Sequence, residues 1–173
     1  MPCVSEEEAL AMNIRRFLFL CKQALSQKTT KGLKLKEVAG TFKGFSIKAT
    51  FGSGNLVKRP ALAFLKDGNE VSHGIYPIIV FVPESNHLLT CKGVSTDYDP
   101  PLCMSWLIND ILDKPLQSTC FSDERGRKSY VRNDYKCDEV SEKIMIESVI
   151  EDINAMIKDY QYDRTQDSKK AKA

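Results

Sequence analysis

Apolar positions along the chain fall into two periods. Leu10, Ile14, Phe17, Cys21 and Ala24 recur at the three-and-four spacing of one helical face, and Leu18 and Leu25 widen it. Ser5 and Glu8 precede that face with the spacing of a capping box, so a helix is predicted from about Ser5 to Gln27. Phe45-Ser-Ile-Lys-Ala-Thr-Phe51 alternates instead, with Phe45, Ile47, Ala49 and Phe51 on one side and Ser46, Lys48 and Thr50 on the other. That is the period of a half-buried strand. Three short apolar runs, Ala61 to Leu65, Ile75 to Val82 and Leu88 to Val94, read as further strands. They are separated by Lys66 to Asn69 and Glu84 to His87, segments with the Asp, Gly, Asn and Ser content of tight turns.

Past the proline-rich loop Asp97 to Pro101, Leu102 to Leu112 with the single Trp106 suits a short helix, and Asp113 to Lys136 is polar and irregular. A last helix is predicted from about Asp138 to Tyr160. Val140, Ile144, Val149, Ile153, Met156 and Tyr160 keep helical spacing there, and Ile146, Ile150 and Ile157 broaden the stripe. Gln161 to Ala173 is charged and lacks apolar periodicity, which reads as a tail or the start of a linker. The expected fold class is α+β: a central mixed, mostly antiparallel curved sheet flanked by an N-terminal and a C-terminal helix. Residues 1–160 form one domain and 161–173 the tail.

Composition narrows the function classes. The 173 residues are 42% hydrophobic and 28% charged, which fits a single globular domain of ordinary core size. The longest apolar run near the start is Phe17 to Cys21, preceded by Glu6, Glu7 and Glu8, which excludes a signal peptide and a spanning helix there. A cytoplasmic protein without membrane contact is expected. The six cysteines, at 3, 21, 91, 103, 120 and 137, form no C-x-x-C pair and read as reduced thiols. His73 and His87 are the only histidines and have no spaced partner, so no metal and no cofactor are expected.

The net charge of +2 conceals a segregation. Lys28 to Arg59 holds eight basic residues against Glu37, a local net of +7 that leaves −5 for the rest. Asp138 to Tyr160 carries seven acids and two lysines. A second basic group, Arg125, Arg127, Lys128, Arg132 and Lys136, is interleaved with Tyr130 and Tyr135. Basic clusters of this kind are solvated surface or phosphate contacts, and phosphate contacts supply affinity without sequence choice. No G-x-x-x-x-G-K-[ST] is present, and Gly52-Ser-Gly-Asn55 lacks the third glycine and following helix of a dinucleotide fingerprint. Asp67, Glu70 and Glu84 lie near turns rather than in a nuclease spacing, and Ser72 beside His73 is mere adjacency. No catalytic residue is expected.

Four segments carry a resemblance: Phe51-Gly-Ser-Gly-Asn55, Arg59-Pro-Ala-Leu-Ala-Phe-Leu65, Asn69-Glu-Val-Ser-His-Gly-Ile-Tyr-Pro77 and Gly93-Val-Ser95. In this order and spacing they resemble the N-terminal DNA-recognition domain of the McrB family, the specificity and GTPase subunits of modification-dependent restriction systems. The likeness is dense from about residue 33 to 95. Outside it, the N-terminal helix, the late basic loop with tyrosines and the Asp159-Tyr160 pair ending the last helix are also similar. The resemblance implies a sheet that grips double-stranded DNA and flips a methylated cytosine into a pocket. Carried over, it assigns the pocket to Tyr76, Ala61, Val80 and Phe64, and the duplex-inserting loop to Gly52, Ser53, Gly54 and Asn55. It also implies, in the full system, a GTPase motor domain and a McrC-type nuclease partner.

Two positions depart from the family pattern: an aromatic after the proline is here Ala61, and an aromatic in the glycine loop is here Ser53. Aromatic faces hold bases by stacking worth about 1 to 3 kcal/mol each. The pocket is therefore wider than the family's or is missing, unless Phe64, Phe81, Tyr130 or Tyr135 reaches in. Lys43, Lys48, Lys58, Arg59, Arg125, Arg127, Lys128 and Arg132 are the expected phosphate contacts. The rival reading is a non-DNA interaction or small-ligand module on the same fold. A stand-alone nuclease, which would cut DNA with magnesium, is not expected.

Overall fold

The computed structural model describes residues 3–52, 57, 59–66, 68, 70–71, 73–96, 120–122, 128–138 and 141–171. The first helix, α1, spans Glu6–Gln27. Its capping box is complete: the Glu8 N–H donates to Ser5 Oγ (3.1 Å) and the Ser5 N–H to Glu8 Oε2 (3.0 Å). Glu6, Glu7 and Glu8 also face the positive end of the helix dipole. The helix stops at Lys28, whose left-handed backbone (φ 59°) turns its N–H onto the Ala24 carbonyl (2.8 Å). Leu10, Ile14, Phe17, Leu18, Cys21 and Ala24 are buried, whereas Leu25, in the last turn, is exposed.

A short 3-10 turn, Leu35–Val38, leads into seven strands. These are β1 (Gly40–Phe42), β2 (Phe45–Thr50), β3 (Ala61–Leu65), β4 (His73–Val82), β5 (His87–Thr96), β6 (Cys120–Ser122) and β7 (Lys128–Lys136). They form one sheet in the order β1-β2-β3-β4-β5-β7-β6. Every pairing among the described residues is antiparallel, so the expected α+β class with a mostly antiparallel sheet holds, and the parallel pair that a mixed sheet would need is absent among them. Lys43-Gly44 closes β1 on β2 with positive φ at both residues (48° and 82°), and Asn86 (φ 54°) ends the turn between β4 and β5. Loops this short reverse the chain, while a parallel neighbour needs a crossover of roughly a dozen residues.

The second helix, α2, spans Glu142–Ala171. Ser141 caps it by accepting from the Ile144 N–H (3.3 Å). Met145, Ile146, Val149, Ile150, Ile153, Met156, Ile157 and Tyr160 are buried, but Ile144 is 56% exposed. At about 100° per residue Ile144 falls outside the stripe that begins at Met145. The helix also continues eleven residues past Tyr160, through what the sequence presents as a tail. Nothing in Gln161 to Ala171 breaks a helix, and extending one adds a hydrogen bond per residue without a new nucleus.

Both helices cover the same, inner face of the sheet. Their apolar stripes make one core with Phe45, Ile47, Leu62, Phe64, Ile79, Phe81 and Leu88. Rings meet edge-on or tilted within it: Phe17 with Phe51 at 5.6 Å, Phe42 with Phe64 at 6.5 Å and Phe45 with Tyr160 at 5.4 Å between centroids. Arg15 with Glu142 (3.8 Å) and Asn154 Nδ2 with Glu7 Oε1 (3.2 Å) tie the helices to each other. The predicted helix Leu102 to Leu112 lies outside the described residues.

Candidate nucleic-acid interface

The other, outer face carries a second apolar cluster: Ala61, Ala63, Tyr76, Ile78, Val80, Leu89 and Cys91, with Leu65, Val71, Val82 and Val131 packed against it. None of its members comes from a helix. Strand alternation explains the membership. Ala61 pairs directly with Val80 and Ala63 with Ile78, while Tyr76 pairs with Gly93 and Ile78 with Cys91.

Three of the four expected pocket residues, Ala61, Tyr76 and Val80, therefore share this face. Phe64 does not. Lying three positions from Ala61, it falls on the inner face, fully buried against Phe42. The sheet itself separates Phe64 from the other three. Phe81 lies on the inner face as well, within the core.

Tyr76 is 3% exposed, and its hydroxyl donates to the Val71 carbonyl (2.9 Å). Its ring lies across Gly93. A Cβ at that position would stand 3.2 Å from Tyr76 Cε2 and 3.1 Å from Ile78 Cγ2, so the ring or Ile78 would have to give by a few tenths of an ångström to admit one. The Tyr76 and Gly93 segments of the resemblance thus meet as one cross-strand pair.

The described basic residues do not share one surface. Lys48, exposed, stands on the outer face opposite Ala63. Lys43 sits at the tip of the β1–β2 turn, its Nζ 5.6 Å from the Phe42 ring centroid. Lys34 lies on the side of α1, where it lines a shallow cavity with Arg16, Phe19, Leu20, Gln23, Gly32 and Glu37. Arg59 is half-buried just before β3, and Lys128 opens β7, paired with Val94. Gly52, after β2, is exposed and has a φ of 99° that favours glycine. Ser53, Gly54, Asn55, Lys58, Arg125 and Arg127 lie outside the described residues.

Arg132 turns inward. Its Nε is 3.5 Å from Oδ1 of Asp152 on α2. The same carboxylate accepts from Thr90 Oγ1 (2.9 Å), Asn133 Nδ2 (2.7 Å) and the Tyr135 hydroxyl (2.5 Å). Burial, then the neighbouring Asp152, pushes the Tyr135 phenol well above its ordinary range. Tyr135 thus packs against the inner core rather than reaching the outer cluster. A second polar pair lies nearby: Lys92, 1% exposed, has its Nζ 4.0 Å from Asp159 Oδ2. Sequence reasoning passed over Lys92, Asp152 and Lys66, whose Nζ is 5.3 Å from the Phe45 ring centroid. The signal for the first two was present: a lysine inside an apolar strand run and an aspartate inside an isoleucine stripe. Their partners lie 67 and up to 62 positions away, beyond any local pattern.

Among the described residues, no group of three or more His, Cys, Asp and Glu side chains is placed to hold a metal ion. No helix among them is long and apolar enough to cross a membrane. No family model matches the chain. The chain is similar to an McrB subunit. That relative, the "Type IV methyl-directed restriction enzyme EcoKMcrB subunit" of Escherichia coli K12, is 28% identical over 156 residues. The match covers 88% of this chain and 32% of the relative, so the chain spans about a third of the McrB subunit's length. The likeness is distant and partial, and consistent with an McrB-like domain.

Proposed function

We propose that this chain is a double-stranded DNA-binding domain that recognises a modified, methylated base by extruding it onto the outer face of the sheet. It serves there as the specificity module of a modification-dependent restriction system. The observation that carries the reading is the gathering of Ala61, Tyr76 and Val80 on the outer face, where no helix among the described residues packs, with Lys48 beside them. The similarity to a methyl-directed restriction subunit supports it. The domain has no catalysis of its own, and takes no cofactor. GTP hydrolysis and cutting belong to a motor domain and a McrC-type nuclease, with the assembly in the cytoplasm.

Flipping a base costs a few kcal/mol in stacking and pairing, which contacts in the pocket must offset. Tyr76 offers the stacking surface. Because its ring is buried in the free protein, the base enters by opening that face while Gly93 and Val71 keep the ring oriented. Burying one methyl group contributes about 0.8 kcal/mol, roughly a fourfold preference. Sharper discrimination requires the pocket to reject the unmodified base.

The test is a binding panel on one duplex carrying plain cytosine, methylated cytosine, hydroxymethylated cytosine or methylated adenine. The wild type is compared with Tyr76→Ala, and each variant's fold is checked by circular dichroism. One modified duplex is expected to bind tighter than plain DNA, and the preference is expected to vanish in Tyr76→Ala. Equal binding of all four duplexes would sink the modified-base reading. No binding even at low salt would favour an interaction module on the same fold.

A further inference from the structure

We propose that Asp152 is a positioning residue that decides which side chain of β7 completes the outer face. The evidence is a break in the β5–β7 ladder. Thr90 pairs with Asn133, yet the next residue, Cys91, pairs with Val131. Arg132 is the extra residue of a bulge. In an unbroken ladder Cys91 would face Arg132, and Val131 would turn inward opposite the buried Lys92. An arginine would then sit in the apolar outer cluster in place of a valine. A one-residue slip of this kind moves every following side chain to the opposite face.

The bulge leaves a residue outside the ladder and must be held by something else. Asp152 holds it from the inner side. Thr90 and Asn133, the last regular pair before the break, both donate to its carboxylate, and Tyr135 donates two residues further along β7. The guanidinium of Arg132 is drawn to the same group at 3.5 Å. A carboxylate offers about four acceptor sites, and these contacts engage both of its oxygens. Asp152 is 7% exposed and its partners surround the bulge: three neutral donors of β5 and β7 hold the carboxylate in place, and it sets a counter-charge 3.5 Å from the inward-turned Arg132 while Val131 points outward. The importance of this register for DNA rests on the proposed function. The register itself does not.

The deciding measurement is the cross-strand nuclear Overhauser contact between the backbones of Cys91 and Val131. In Asp152→Asn this contact is expected to disappear in favour of one between Cys91 and Arg132, and its persistence would overturn the proposal. Deleting Arg132 removes the extra residue and makes a regular ladder in which Val131 faces Cys91 without help. Asp152→Asn in that deletion background is therefore expected to fold and keep the Cys91–Val131 contact. If Asp152→Asn alone does not fold, the double variant carries the test, and its failure to fold also overturns the proposal. On DNA, the preference for a modified duplex is expected to be lost in Asp152→Asn and regained in the double variant. A wild type lacking any preference would count against the proposed function and leave the register result intact.

Discussion

Gly93 shows how one missing side chain organises a face. The Tyr76 ring occupies the space a Cβ would take, so Gly93→Ala forces the ring or Ile78 to shift. It is expected to destabilise the fold by about 1 to 3 kcal/mol in urea denaturation, the range for overpacking a filled site. The buried thiols make a separate residue-scale prediction. Burial raises Cys21 and Cys91 well above their ordinary value of 9.0, so the folded chain keeps them neutral while the unfolded chain ionises them. That contribution is complete below about pH 9 and is lost as the pH rises further. The unfolding free energy is expected to fall there by about 1.4 kcal/mol per pH unit for each thiol. Urea titrations at alkaline pH check the slope, and Cys91→Ala should make it shallower.

At the scale of elements, α2 separates what a period can reveal from what it cannot. Ile153 is fully buried and Ile144 mostly exposed, although both occur in the same isoleucine-rich run. Ile153→Ala is expected to cost about 2 to 5 kcal/mol in chemical denaturation, and Ile144→Ala less than about 0.5 kcal/mol. The helices and β2 were legible because each has an apolar face with a clean period, and β3 to β5 because they are short apolar runs, buried on both faces of the sheet, bounded by turn residues. Strand β7 was not. Of its inner-face positions, Asn133 meets a carboxylate and Tyr135 packs its ring on the core while its hydroxyl meets the same carboxylate, so much of the alternation that marks a strand is written in hydrogen bonds. The bulge then inverts the pattern midway. For the candidate site, the β3–β4 register places Ala61 and Val80 on one face, and period two within β3 takes Phe64 to the other. The separation of Phe64 from Ala61 was readable from the spacing alone. The inward turn of Arg132 was not, because its partner lies on another element.

Across the whole molecule, the described lysines of the +7 segment between Lys28 and Arg59 are spread over both sides of the sheet. Lys48 stands on the outer face and Lys34 on the α1 side. Binding of DNA on the outer face predicts that Lys48→Ala flattens the dependence of log affinity on log salt by about 0.9, the share of one phosphate contact. Lys34→Ala is expected to leave that slope unchanged. Fluorescence anisotropy across a salt series separates the two. The arrangement of the helices has a consequence for synthesis. Translation delivers α1 before strands β1 to β5, which follow in their order in the sheet, and β7 and α2 come after them. The nascent chain thus carries Phe45, Ile79, Phe81 and Leu88 under half a roof until about Tyr160 has left the ribosome, and premature association is most dangerous in the interval before α2 docks.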